Sequence, residues 1–362
     1  MSCHAKRQRR RRTPMDRYIG LDVHANSCTV AVVGPSGRRL GTQVVETNGA
    51  AIIEAIRAIA RPRHVCLEEG TQSAWLHEVL SAHADELVVI QESERSQGQK
   101  SDKRDAFALA DGLRLGKYAC RVFKAPRQYS RLRALAHTYE MIRGDVARTK
   151  NRIKAVYRSR GITTTGKRVY GPSRHEWVKQ LPSANQAAVE LLYRELDHLV
   201  ELKEAAGTQL VAESRLHAIS RLLETAPGLG PIRVARMVPV VVTPNRFRTS
   251  RQFWSYCGLG LVMRSSADWQ RPKGKWVFAP VKKTIGLNPR CNRTLKGLFK
   301  SAALTVISKP DHPLTQHYQR LLDAGTKPPS ARLTIARKIA AITLAIWKHE
   351  EAYDPARTQP KD

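Results

Sequence analysis

Acidic side chains are scarce in this 362-residue chain: 31 Asp and Glu stand against 62 Lys and Arg, leaving a formal net charge of +31 and a pI near 10.5. Such self-repulsion opposes compaction unless a polyanion neutralises it, and nucleic acid is the polyanion to which the composition points. No apolar run approaches the roughly 20 residues of a membrane helix, and the arginine-rich start is not followed by the apolar core of a signal peptide. The expectation is a soluble, intracellular protein without a membrane partner. Cysteine pairs are missing too: Cys3, Cys28, Cys66, Cys120, Cys257 and Cys291 lie far apart, with no CxxC and no histidine at zinc-ligand spacing. This argues against a thiolate zinc site and a disulfide framework, in keeping with a reducing cytoplasm. A hydrophobic content of 42% does allow real cores, so a disordered basic tail protein is excluded, and the length suits two or three domains.

The charge is unevenly spread. Residues 17–125 hold 14 basic and 13 acidic side chains, residues 126–175 hold 13 against 2, and residues 233–300 hold 15 against one, Asp268. The first region is therefore not the main polyanion grip, and the other two are expected to bind phosphate backbone. Arg148, Lys150, Arg152 and Lys154 are the candidates in one, and Arg264, Arg271, Lys273 and Lys283 in the other. Residues 1–16, with the run Lys6–Arg12, show no apolar pattern and read as a basic disordered tail or as an extension upstream of a start at Met15. Residues 351–362 read as a second tail.

Strand patterns at 18–24, 28–33, 39–46, 64–69 and 87–91, with helical patterns at 50–60, 73–83 and 103–116, predict an α/β domain over 17–125. Three strands joined by short turns, then helix and strand in alternation, predict a mixed sheet covered by helices. From Arg131 the pattern becomes a heptad, with Leu132, Tyr139, Val146 and Ile153 on one series and Leu135, Ile142, Thr149 and Val156 on the other. A second helix at about 184–213 carries Val189, Leu192, Leu196 and Leu199 and is acid-rich, so it suits the basic helix as a partner within the chain or between chains. Residues 126–215 thus read as a helical coiled-coil arm with a mobile tip at Thr163–Pro172. Residues 216–350 read as a mainly helical domain that closes with a core-packing helix at 331–349. It opens near the glycine-marked turn Pro227–Pro231, which suits either close approach to a phosphate or a plain interhelical turn.

Metal-assisted phosphodiester chemistry needs several carboxylates converging on a divalent ion, and few acids here are placed to do it. Asp22 interrupts the apolar strand Ile19–Val23, where a charge is costly unless paired or bound to a cation. Glu68 ends the apolar run Val65–Leu67, where an adjacent strand would set it beside Asp22. Asp102 and Asp105, three apart at a helix start, share a face. Other readings compete: Asp102 and Asp105 also suit a helix cap and a first-turn charge, and Glu69 competes with Glu68 because alternation sends one in and the other out.

The order GLD (Gly20–Asp22), CLEEGT (Cys66–Thr71) and KSDKRDA (Lys100–Ala106) resembles the DEDD transposases of the insertion sequence one-ten family. The N-terminal domain of that family is similar to the RuvC Holliday-junction resolvase within the ribonuclease H fold. PGLGP (Pro227–Pro231), RFRTSRQFWSYCGL (Arg246–Leu259), RSSADW (Arg264–Trp269) and KTIGLNPRCNRTLK (Lys283–Lys296) resemble its second domain, so the likeness covers residues 17–350. The resemblance implies that Asp22, Glu68, Asp102 and Asp105 bind magnesium (Mg2+). It implies a serine nucleophile in the loop after Gly258-Leu259, matching Ser266, which is preceded by Ser265 and followed by Ala267 where the family has glycine. A serine hydroxyl is a weak nucleophile, and Arg264, Arg271 or Lys273 would steady the developing charge. The resemblance further implies a noncoding bridge RNA that pairs with donor and target DNA. It also implies a homodimer or homotetramer in which the acids of one subunit meet the serine of another; the expected location, from the missing membrane and signal segments, is cytoplasmic and nucleoid-associated. Two rival expectations stand beside it: a metal-dependent, structure-specific endonuclease that hydrolyses DNA junctions with water, and a nonenzymatic nucleic-acid-binding protein whose acids are structural.

Overall fold

The computed structural model describes residues 15–91, 101–118, 121–122, 127–265, 269–270, 274–278 and 282–358. The chain divides into two compact units, Met1–Gln128 and Tyr129–Asp362. In the first, β1 (Arg17–Val23), β2 (Ser27–Val33) and β3 (Arg39–Glu46) form an antiparallel meander. The turn between β2 and β3 is tight, with Gly37 at φ 92° and its N–H donating to the Gly34 carbonyl at 3.0 Å, a conformation that glycine adopts without strain. β4 (Arg63–Glu68) and β5 (Glu86–Ile90) join in parallel on the far side of β1, giving the order β3-β2-β1-β4-β5. Parallel neighbours need crossovers, and α1 (Gly49–Arg57) and α2 (Ser73–Leu80) supply them. Asn48 caps α1 by accepting from the Ala51 N–H at 2.8 Å.

Alternation along the strands fills two cores. Ile19, Leu21, Val30, Val65 and Leu67 face one side with Ile52 and Ile56 of α1 and Leu76 and Leu80 of α2. Tyr18, Ala31, Cys66, Val88 and Ile90 face the other with Ala106, Phe107 and Ala110 of α3 (Asp102–Arg114). β1 is covered on both faces, which is why it reads as a nearly unbroken apolar run. Gly20 decides how closely α3 approaches: a Cβ there would lie 1.9 Å from the Ala106 carbonyl oxygen. The helix therefore rides directly on the β1 backbone. The mixed, helix-covered sheet is the one that the pattern predicts, with element ends shifted by a few residues through fraying.

In the second unit, α4 (Ser130–Arg158) and α6 (Ser183–Arg215) pack side by side in opposite directions, with α5 (Arg174–Val178) in the connection. Arg131 meets Glu213 at one end and the Tyr157 hydroxyl meets that of Tyr193 at the other, 3.1 Å apart. The acid-rich helix is thus the basic helix's partner within the chain. Leu132, Val146, Thr149 and Ile153 are buried as the heptad predicts, while Tyr139, Leu135, Ile142 and Val156 are half-buried and Ala136 and Tyr157 are buried instead. A straight helix turns 3.6 residues per turn, so its covered stripe drifts off a strict seven-residue series. The stretch expected to form a mobile tip packs back on the pair: Val169 is fully buried, and its carbonyl accepts from Tyr193 Oη at 2.7 Å.

The remainder is mainly helical: α7 (Ala218–Leu223), α8 (Pro231–Val241), α9 (Ser250–Tyr256), α10 (Arg293–Ile307), α11 (Pro313–Asp323) and α12 (Pro328–His349). α4 and α6 both pack on α8. Ile335, Ile339, Leu344 and Ile346 of α12 are buried, and Leu333 and Ile342 are half-buried. Four short strands went unpredicted: β6 (Leu261–Ser265) pairs with β9 (Lys282–Leu287), and β7 (Trp269–Gln270) with β8 (Val277–Phe278). The Pro227–Pro231 turn lies against α10. Gly228 has φ 71°, a Cβ on it would lie 2.6 Å from the Ala302 carbonyl oxygen, and Arg233 donates to its carbonyl. Cys28, Cys66 and Cys257 are buried free thiols.

Candidate metal centre

The site is built where β1, β4 and the start of α3 come together. On β1, alternation sends Gly20 toward α3, so Asp22, two residues on, leaves the strand on the same side. Leu21 pairs in parallel with Leu67, which sets Glu68 at the level of Asp22 on the face that Cys66 shares with α3. Glu68 is half-buried; Glu69 is exposed, and its backbone N–H donates to the Ile90 carbonyl at 2.7 Å. Ser101 occupies the N-cap of α3, so Asp102 and Asp105 both fall in the first helical turn. Asp102 is exposed and Asp105 half-buried.

The closest approach involves a residue that sequence reasoning passed over. His24 Nε2 lies 3.4 Å from Asp22 Oδ2 and 3.3 Å from Asp102 Oδ1. One donor atom from each of the three lies within 4.8 Å of the others. Asp22 Oδ2 and His24 Nε2 are shielded from solvent and make no hydrogen bond among the described residues. A usable signal was present, because Gly20, Asp22 and His24 recur at the period of two that lines one face of a strand.

Burial pushes the Asp22 carboxyl above its ordinary range; His24 opposes this, and the charges of Asp102 and Asp105 add to it. Carboxylates that repel one another, around orphaned shielded donor atoms, are what a divalent cation relieves. The oxygen and imidazole donors therefore fit such an ion. Asp105 is coupled to Asp22 through its charge, and Glu68 shares its face, but the tight cluster itself holds Asp22, His24 and Asp102.

The other candidates lie in the second unit. Arg148 is exposed and ion-paired with Asp145, and Arg152 with Glu195 at 3.3 Å. Lys150 and Lys154 hold their ammonium groups over the Tyr170 ring, 5.3 and 5.7 Å from its centroid. Burial, and then the charges of Lys203 and Lys167, press the Lys150 pKa below its ordinary value. Arg264 and Lys283 are opposite one another in the β6–β9 ladder. Ser266, Arg271 and Lys273 lie outside the described residues, whereas Ser265 closes β6 opposite Lys282. No helix among the described residues is long and apolar enough to cross a membrane.

A five-stranded mixed sheet with clustered acids at the end of its central strand, joined to a basic helical unit, suits an enzyme of nucleic-acid phosphodiester chemistry. Comparison with known proteins makes this specific. Residues 19–159 match the DEDD IS110 transposase family, and residues 220–319 match the transposase IS116/IS110/IS902 family. The chain is similar to the insertion element IS116 uncharacterized 44.8 kDa protein of Streptomyces clavuligerus, at 23% identity over 94% of this chain and 96% of the relative. It is also similar to the mini-circle putative transposase for IS117 of Streptomyces coelicolor, at 30% identity over 33% of this chain and 30% of the relative. The chain belongs to the IS110 family of transposases, DNA recombination enzymes whose DEDD domain implies use of a divalent metal.

Proposed function

We propose that this transposase cuts and rejoins insertion-sequence DNA with two sets of groups: the carboxylates Asp22, Glu68, Asp102 and Asp105, and the hydroxyl of Ser266. The observation that carries the reading is the meeting of Asp22 and Asp102, from β1 and α3, where Asp22 Oδ2 and His24 Nε2 are shielded and make no hydrogen bond among the described residues. The strand order, with three antiparallel strands and two parallel ones beside the first, supports a ribonuclease H-like, RuvC-type domain over residues 17–125. The antiparallel α4–α6 pair supports a coiled-coil arm over residues 126–215, followed by a serine domain over 216–350.

A bound magnesium ion at the four carboxylates would neutralise the scissile phosphate and stabilise charge on the attacking and leaving oxygens. The residues of the chain do the rest. Ser266 Oγ attacks phosphorus, loses its proton, and becomes joined to the DNA as the bond to the leaving deoxyribose oxygen breaks; that oxygen takes up a proton. The energy of the phosphodiester is kept for rejoining, so strand exchange needs no external energy source. Arg264, Arg271 and Lys273 steady the developing charge, while Arg148, Lys150, Arg152, Lys154 and Lys283 hold phosphates. A groove of about 510 Å³ beside Asp102, lined by Thr29, Gln43, Val44 and Lys103, offers the cut strand a seat. Sequence choice is delegated to a noncoding guide RNA, whose A-form segments are gripped through their phosphates. The carboxylates of one subunit and Ser266 of another act together in a homodimer or homotetramer, on nucleoid DNA in the cytoplasm.

The test is to incubate the protein with magnesium, guide RNA and labelled element DNA, and then denature. A protein–DNA adduct is expected, and Ser266→Ala abolishes it. Cleavage that continues in Ser266→Ala without any adduct would replace this reading with a water-dependent, structure-specific endonuclease.

A further inference from the structure

We propose that His24 is itself a ligand of the cation held by Asp22 and Asp102, through Nε2, and that this nitrogen moves the centre's preference from Mg2+ toward Mn2+. The inference rests on the carboxylate centre proposed above and adds to it the identity of the ion. It starts from how firmly His24 is held. The His24 backbone N–H donates to the Ser27 carbonyl at 2.9 Å, and the His24 carbonyl accepts from Thr47 Oγ1 at 2.9 Å. The Thr47 backbone N–H in turn donates to the Asn26 carbonyl at 3.1 Å. Both polar groups of the His24 backbone are thus tied into the corner that joins β1 to β2, and the ring is presented from a braced position.

The ring's surroundings then favour coordination over a plain ion pair. Nε2 has two carboxylate oxygens within 3.4 Å, yet neither contact has hydrogen-bond geometry, and the atom is closed off from water. A donor N–H shielded in this way would forfeit a hydrogen bond, which is costly. A neutral imidazole that carries its proton on Nδ1 instead offers Nε2 as a lone pair, the form in which histidine binds metals. Asp22 Oδ2 is an orphaned shielded atom as well, and one cation satisfies both.

The ligand set decides which ion is preferred. Mg2+ demands oxygen donors in near-ideal octahedral geometry and gives up its water reluctantly. Mn2+ accepts carboxylate oxygen and precedes in its affinity series the metals for which imidazole is a usual ligand. Replacing one oxygen by an imidazole nitrogen therefore penalises Mg2+ more than Mn2+. Removing groups that merely orient metal ligands costs about 10–100-fold in affinity. Loss of a direct ligand is expected to cost no less.

The experiment titrates the full chain with Mn2+ alone, following bound ion by electron paramagnetic resonance, and records electron spin-echo modulation from nitrogen coordinated to the bound ion. Directly coordinated nitrogen is expected in the unmutated chain. His24→Gln removes that signal and weakens Mn2+ binding by at least about tenfold, with a smaller loss for Mg2+ measured by competition. Bound Mn2+ without coordinated nitrogen, or with a nitrogen signal that survives His24→Gln, overturns the assignment. If Asp22→Asn still abolishes binding in that case, the carboxylate centre stands without His24. Mn2+ binding that Asp22→Asn leaves intact overturns the carboxylate reading and this inference together. Circular dichroism checks each variant, and His24→Ala replaces His24→Gln if the latter does not fold. 15N-histidine labelling of the unmutated chain gives a readout free of mutation: a nitrogen signal that does not change with the label overturns the assignment.

Discussion

The sheet unit and the helical unit use charge in opposite ways. In the first, residues 17–125 hold 14 basic and 13 acidic side chains, and a few acids are gathered where they repel one another and where burial raises the Asp22 pKa. In the second, positive charge is spread along α4 and α5 and partly neutralised on the spot, as in the pairs Arg148–Asp145, Arg152–Glu195 and the two-pronged Arg174–Asp197 contact at 2.7 Å. On the function proposed above, the contrast separates chemistry from binding. Chemistry concentrates charge on rigid elements at a cost in stability, whereas phosphate binding distributes it and tolerates the loss of any single group.

The sharpest way to break this contrast is Asp22→Asn. DNA cleavage is expected to fall by at least about 100-fold, the scale on which metal sites respond to lost support. Thermal unfolding of the metal-free protein, by contrast, is expected to show a gain of about 0.5–2 kcal/mol, because a buried, repelled charge has been removed. A variant that is both inactive and less stable would mean that Asp22 is a structural acid.

Next in size is Gly20→Ala, which places a methyl group where the Ala106 carbonyl lies. Overpacking at backbone contact is expected to cost about 1–3 kcal/mol in denaturant unfolding. It should also reduce cleavage, because the first turn of α3 is pushed away from β1. Unchanged stability would show that α3 does not need to ride on the strand.

A third prediction contrasts the two ends of the sheet. At the end opposite Asp22, buried His64 lies 3.0 Å from Glu86 and 3.5 Å from Asp16, and Glu86 also pairs with Arg121 at 2.7 Å. The bond to Glu86 raises the His64 pKa above its ordinary 6.5, with burial opposing. The bond to His64, again against burial, brings Glu86 from 4.5 to about 2. The His64 contribution is therefore complete below pH 6.5 and lost as pH rises through its folded-state value. The Glu86 contribution is present above pH 4.5 and lost as pH falls toward 2. Thermal melts should show this cluster at full strength between pH 4.5 and 6.5. His64→Gln is expected to remove about 1–2 kcal/mol there, after allowance for solvent screening, and to flatten the loss on the alkaline side.

The smallest effect belongs to the helical unit. Lys154→Ala is expected to weaken binding to nucleic acids of any sequence alike, and to reduce the slope of log affinity against log salt by about one. A change confined to one sequence would make Lys154 a reader of bases.

Much of the sheet unit was legible in the sequence because β1, β2 and β4 are short, nearly unbroken apolar runs bounded by turn residues. Asp22 stood out as a charge inside an apolar strand. His24 did not, since a histidine at a strand exit is ordinary until Asp102 arrives from α3, some 80 residues later in the sequence. In the helical unit the heptad marked α4 and its partner, but Thr163–Pro172 read as a free tip because the pattern of a ten-residue linker cannot show that Val169 is buried against Tyr193. β7 and β8 escaped notice because strands as short as Trp269–Gln270 carry no measurable period.

By itself the sequence determined the local preferences: which of the longer segments become strands and helices, where positive charge accumulates, and which acid, Asp22, stands as a charge among apolar neighbours. Alternation, helical period and net charge act over a few residues or over the whole chain, so they survive without knowledge of the fold. Only the tertiary structure decided which of those acids share a site, that His24 stands among them, and that the acidic helix answers the basic one within the same chain. Those outcomes depend on strand register and on the close approach that Gly20 permits, and neither can be counted along a single line of residues.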